Sequence, residues 1–236
     1  MTHPDPCRYA RRVPDEARAD AREPLRVDAE RNRERILAAA RKLIVEHGLD
    51  ISHDDIARTA NVGVGTVYRR FPTQQELFDE LFYDELDLMV GTALAASEVE
   101  DPWEGIRQFL EQIFEQQVAS RGLRELLIGH RGGTELSRRA QEQIRPVVAR
   151  LVDRAHASGQ LRVGVGASDL AMIPVMVNPL MAASRDVDPD LWRRWLAVLL
   201  DGIAGGPERD QLPGRAPSPE QVEEIIKGQS RSRPRR

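Results

Sequence analysis

Apolar residues recur three and four positions apart along most of this chain, and no stretch shows the strict alternation of a half-buried strand. The spacing predicts a first helix over 28–47, capped by Asp28, with Ile36, Ala40, Leu43 and Ile44 as its inward stripe. Gly48 ends it in the left-handed C′ position, and Leu49 supplies the accompanying apolar contact. Ser52 and Asp55 form an S-x-x-D capping box for a second helix, in which Ile56, Ala57 and Ala60 share a face and Asn61 marks the stop. A third, short helix over 64–71 must end before Pro72, because proline disfavours a helical conformation at the residue preceding it. Thr73 and Glu76 cap the next helix, which keeps Leu77, Phe78, Leu81, Phe82, Leu86 and Met89 on one side as far as about residue 96.

Further helices follow. Asp101-Pro102 opens one carrying Ile106, Phe109, Leu110, Ile113 and Phe114, and shorter and longer ones are expected over 123–130 and 134–158. After a glycine-rich connection, a helix beginning at Ser168 or Asp169 contains Pro174 and Pro179, which predict a kink or local unwinding. The last strong helix covers 189–203. The fold class is therefore all-α, with an N-terminal three-helix helix-turn-helix domain (28–72) followed by a C-terminal helical bundle (73–205). Residues 1–27 read as a disordered, charge-balanced arm whose arginines could also reach a minor groove. Residues 206–236 read as a flexible basic tail with room for a short helix over 219–226.

The third helix carries the chemistry. Val67 and Phe71, with Val62 before them, point toward the small core, whereas Val64 and Tyr68, and Gly65 and Arg69, make outward pairs four apart. A merely solvated face would not combine Val, Gly, Thr, Tyr and two arginines. A DNA-facing one would. Gly63 and Gly65 let the helix N-terminus approach a phosphate, Thr66 and Tyr68 offer hydroxyls to phosphate oxygens, and Val64 can touch a thymine methyl. Arg69 and Arg70 can pair with phosphates, or one of them can reach a guanine edge.

This run, Ala60-Asn61-Val62-Gly63-Val64-Gly65-Thr66-Val67-Tyr68-Arg69-Arg70-Phe71-Pro72-Thr73-Gln74-Gln75-Glu76-Leu77, resembles the DNA-binding domain of the TetR (tetracycline-repressor-like) family, whose pattern is close to A-G-V-S-x-G-T-L-Y-x-H-F-P-S-K-E-x-L. The likeness covers roughly residues 33–81, and its wording is similar to that of actinobacterial members. Asn61 stands in place of the usual turn glycine, Gly63 in place of a serine, and Gln74 in place of a common lysine. At 63 the family's phosphate contact must then come from the backbone or be absent, and at 74 one favourable charge near the DNA is lost. The resemblance implies a homodimer reading a palindromic operator on double-stranded DNA. It also implies a C-terminal domain that senses a small effector and pairs its last two helices with a second copy.

Composition sets the context. The chain has 236 residues and a net charge of −4, but much of the acid lies between Glu76 and Glu115, away from the arginine-bearing helix. Cys7 is the single cysteine, so neither an internal disulfide nor a zinc constellation is expected. No run reads as a signal peptide or membrane span, and the expectation is a cytoplasmic protein without membrane attachment. No cofactor is expected. His53-Asp54-Asp55 is better explained by a helix N-terminus than by a metal, and neither Gly63-Val64-Gly65-Thr66 nor Gly164-Val165-Gly166 has the form of a P-loop, so an enzyme is disfavoured.

In the C-terminal domain, Trp103, Phe109, Phe114, Leu127, Met172 and Met176 are candidates to line an apolar cavity, with His130 and Asn178 as polar contacts to an apolar or amphipathic effector. Met181, Trp192, Trp195 and Leu199 broaden the apolar faces of the last two helices and are candidates for the dimer interface. The functional expectation is a ligand-responsive repressor. The alternative is a constitutive DNA-binding dimer whose C-terminal domain senses nothing.

Overall fold

The computed structural model describes residues 22–128, 135–206, 209–210 and 212–231. They form eleven helices and no strand: α1 (Arg22–His47), α2 (His53–Ala60), α3 (Val64–Arg70), α4 (Gln74–Leu81), α5 (Tyr83–Ser97), α6 (Pro102–Ala119), α7 (Arg121–Ile128), α8 (Glu135–Ala157), α9 (Ala167–Ser184), α10 (Leu191–Ile203) and α11 (Pro219–Arg231). An isolated antiparallel bridge between Leu161 and Ala204 closes the connection after α8 against the end of α10.

The local signals explain most boundaries. Asp55 N–H donates to Ser52 Oγ at 3.1 Å, and Ser52 N–H donates back to Asp55 Oδ2 at 3.3 Å, completing the capping box. The Ser52 hydroxyl and backbone N–H hold the Asp55 carboxyl below its ordinary range, because both bonds favour its ionised form. Asn61 terminates α2 at φ 52°, in the left-handed region that a short polar side chain tolerates. Thr73 caps α4 through the Glu76 N–H, and Asp101 caps α6 through the N–H groups of Trp103 and Glu104, with Pro102 in the first turn where no N–H is missed.

Four boundaries differ from the sequence expectation. Helix α1 begins at Arg22 rather than Asp28, because Pro24 is harmless in a first turn and Asp28–Arg31 and Glu30–Arg33 pairs support the exposed turns. The run expected over 73–96 breaks at Phe82 into α4 and α5. No glycine or proline marks that break; the Phe82 ring is instead buried where α7 crosses it. Helix α9 runs uninterrupted through Pro174 and Pro179, as α8 does through Pro146. Finally, the C-terminal segment folds back: α11 extends to Arg231 and packs on α9 and α7, burying Val222, with Leu212 against the core. Residues 1–21 and 232–236 lie outside the described residues, as do the side chains of residues 22–26.

One continuous core runs through both halves. Ile36, Ala40 and Ile44 of α1 meet Ile56 and Ala57 of α2 and Val67 of α3, and Leu77, Phe78 and Leu81 of α4 carry the core on to α5 and α8. A second junction joins the end of α1 to α7. Gly48, at φ +72°, ends α1, and its neighbour Leu49 donates its N–H to Glu125 Oε2 at 2.9 Å. Arg121 ion-pairs with Glu125 at 2.7 Å and donates to the Val45 carbonyl at 3.3 Å. Gly122 makes the crossing possible: a Cβ there would lie 2.4 Å from the Phe82 ring and 2.8 Å from Ile44 Cγ2. Gly122→Val is therefore expected to destabilise by about 1–3 kcal/mol, lowering Tm by roughly 2–10 °C in thermal unfolding. Gly91→Ala, in α5 with open space around it, should instead raise stability by about 0.5–1 kcal/mol.

Candidate nucleic-acid interface

Helix α3 has only seven residues, and its two sides are sharply different. Val67 is fully buried and Phe71, the C-cap, is nearly so. On the outer side Gly63, Val64, Gly65, Tyr68, Arg69 and Arg70 are exposed, and Thr66 is half-buried. Gly63 stands at the N-cap without a side chain, so the first N–H groups of the helix are open to an approaching phosphate. Arg69 lies along its own helix, its Nε 3.2 Å from the Gly65 carbonyl and its Nη2 3.4 Å from Thr66 Oγ1. The Arg70 guanidinium rests 5.7 Å from the centre of the Phe71 ring. The structure thus brings together all seven residues singled out in the sequence for DNA contact.

Sequence reasoning weighed His53 only as a metal ligand and passed over its role here. Its ring is buried and stacks on Tyr68, with centroids 4.5 Å apart and planes 16° from parallel. Its Nε2 lies 2.9 Å from the Phe71 carbonyl, which can only accept, so the proton sits on Nε2. One side chain therefore satisfies an orphan carbonyl at the end of α3 and holds the phenol outward. The signal available in sequence was a histidine on the first turn of α2, which by itself does not foretell a stack. Gln74 also proves to be structural: its amide donates to the Ile51 carbonyl, stitching α4 to the α1–α2 connection. Arg35 Nη2 donates to the Asn61 carbonyl at 3.0 Å, and Arg33 pairs with Glu80, so α1 braces both flanks of the unit.

The C-terminal candidates are scattered rather than gathered into one cavity. Trp103 lines an open groove of about 360 Å³ between α6 and α10, together with Arg107, Glu111, Trp192 and Arg193. Arg107 and then Gln108 bond the Glu104 carboxylate beside it, pulling its pKa down to about 2. Phe109 and Phe114 are core residues, Leu127 and Met172 are partly buried, and Met176 points outward. His130 lies outside the described residues. Asn178 is buried, with neither amide atom hydrogen-bonded. Of the dimer candidates, Met181 and Trp192 are buried within their own chain, the Trp192 ring 5.4 Å from that of Phe114. Trp195 is exposed and Leu199 is half-buried on the outer side of α10.

Comparison with known proteins places this geometry. The family model described as bacterial regulatory proteins, tetR family, matches residues 36–81, and that of the transcriptional regulator SbtR-like C-terminal domain matches residues 101–205. An HTH-type transcriptional regulator from Staphylococcus aureus is 37% identical over 67 residues, which is 28% of this chain and 36% of that protein. The chain thus spans about a third of the length of the curated relatives it matches. Among solved structures, the transcriptional regulator FadR from Bacillus subtilis, in complex with stearoyl-CoA, superposes with a TM-score of 0.56 at 16% identity, covering 72% of this chain and 98% of that one. A TetR family regulator from Agrobacterium tumefaciens gives 0.55 at 17% identity, covering 75% and 100%. These two show a shared fold. The names and families are those of transcriptional regulators, not enzymes. With both halves matched by TetR models and the helix-turn-helix geometry in place, the chain belongs to the TetR family of bacterial regulatory proteins.

Proposed function

We propose that this protein is a homodimeric, ligand-responsive repressor that binds a palindromic operator and leaves it when a small apolar or amphipathic effector binds the C-terminal domain. The observation that carries the DNA-binding part is the outer face of α3, where two glycines, Val64, Tyr68 and two arginines are exposed over a buried Val67. In this reading Gly63, Gly65, Thr66 and Tyr68 meet phosphates and set the register, while Val64 and Arg69 read base edges in the major groove. Operator binding would place the protein in the cytoplasm.

The dimer reading rests on α9 and α10. Met176 is half-exposed on α9, with Pro179, Leu180 and Ala183 on the same side; Trp195 and Val198 are half-exposed on α10, beside Leu199. The spacing of three and four makes one apolar stripe on each helix, and the two helices pack side by side. Two such stripes facing their copies give a four-helix contact with two-fold symmetry, which suits two recognition helices on a palindrome. Effector-driven movement would reach α3 through the two junctions with the first three helices, α4 and α7, for a coupling of about 1–3 kcal/mol.

Selection of bound sequences from a random DNA pool tests the central reading. A palindromic consensus is expected, and no enrichment from folded protein at low salt would overturn it. Tyr68→Phe should weaken binding to all sequences alike and leave the salt dependence unchanged, whereas Arg69→Ala should cost about 1–3 kcal/mol and relax preference at one position per half-site. His53→Leu should weaken operator binding in the same sequence-independent manner as Tyr68→Phe, because it frees the phenol. Trp195→Glu with Val198→Glu should convert the dimer to monomers in sedimentation velocity; an unchanged dimer would relocate the interface.

A further inference from the structure

The cations of the DNA-binding half fall into two kinds. Arg33 is neutralised by Glu30 at 2.7 Å and by Glu80, Arg58 pairs with Asp55 at 3.2 Å, and Arg31 lies 4.0 Å from Asp28. Arg35, Arg41, Lys42, Arg69 and Arg70 meet no carboxylate among the described residues. Arg69 and Arg70 are already placed on the outer face of α3. Arg35 belongs to α1, yet it stands beside that face. Its Nη2 donates to the Asn61 carbonyl at 3.0 Å, and Asn61 precedes Gly63, the N-cap of α3, by only two residues.

Bracing the end of α2 needs one donor and no net charge. A guanidinium has five N–H groups and stays charged at every pH a folded protein meets. The Asn61 carbonyl takes up one of those groups and neutralises none of the charge. The side chain is exposed, and the rest of its fork has no protein partner among the described residues. The one bond it makes also fixes where the charge sits, at the corner where α2 ends and α3 begins. A cation held in place and left unneutralised is pre-organised for an anion, because less side-chain freedom remains to be lost on binding.

We infer that Arg35 binds a DNA phosphate from α1, beside the phosphate received at the N-terminus of α3. The inference rests on the DNA-binding reading above and adds a contact from outside the helix-turn-helix itself. Asn61 and Gly63 are at most about 7 Å apart along the chain. Phosphates follow one another at about 3.4 Å of rise along a strand, so a strand that meets Gly63 carries a neighbouring phosphate past Arg35. The planar fork suits two phosphate oxygens at once. Such a contact reads no bases, but it fixes the position of the protein on the duplex.

The test is the salt dependence with which the full-length protein binds a short duplex of mixed sequence, followed by fluorescence anisotropy between about 50 and 200 mM salt. Each phosphate contact contributes about 0.9 to the slope of log K against log salt, so Arg35→Ala should flatten that slope by about 1 for every protomer bound. Affinity for a selected operator and for the mixed duplex should fall by the same factor. Arg35→Gln keeps an N–H donor for the Asn61 carbonyl but not the charge, and should flatten the slope as alanine does. Arg35→Lys should retain most of it. Lys42→Ala removes the same charge from the same helix, about 10 Å further toward the α7 junction, and should leave the slope unchanged. A lower melting temperature for Arg35→Ala with an undiminished slope would reduce Arg35 to a brace and overturn the inference, as would equal flattening by Lys42→Ala. Failure of the unmodified protein to bind either duplex at low salt would overturn the DNA-binding reading itself, and the inference with it.

Discussion

A seven-residue helix cannot sustain itself in water, since nucleation consumes most of what its few hydrogen bonds return. Everything at the DNA-facing end of this protein answers that constraint. Val67 drives α3 into the core of α1 and α2, and the imidazole of His53 takes up the carbonyl left over at its end. Thr73 then restarts the chain as α4, while Gln74 ties that start to the segment before α2. The exposed face is therefore free to be chosen for recognition, because none of its side chains is needed to keep the helix formed. Gly65 inside a helix that short would be costly on propensity alone. It is tolerated because the stability comes from the opposite side.

Much of this was legible from residue spacing. Capping pairs at Ser52–Asp55 and Thr73–Glu76, the stop at Asn61 and the proline after Phe71 are local rules, and local rules survive in the folded chain. Those rules located α3 and its outward residues. What they missed depends on contacts across the fold. The break at Phe82 has no local marker, because its cause is α7 passing over the ring forty residues later in the chain. His53 looked like an ordinary first-turn residue until α3 brought Tyr68 over it. Trp192 and Trp195 share one helix and similar hydrophobicity; only the position of α6 decides that the first is core and the second surface.

The C-terminal half was less readable for a related reason. Phe109, Phe114, Met172 and Met176 all suit an apolar cavity by type, yet composition does not distinguish a lining from a packed interior. The discriminating feature is which helix lies opposite each side chain: Phe114 sits against Trp192 of α10, whereas Met176 faces outward.

The close crossing at Gly122 has a mechanical consequence. Where two helices meet through long side chains, rotamer changes can absorb a displacement of an ångström or so before the backbone responds. Here the backbone of α7 bears directly on the buried Phe82 ring and on the β-branched side chain of Ile44, with no side chain of its own between to give way. The joint behaves as a stiff strut rather than a spring, so a shift of α7 is handed to the first helix almost undiminished.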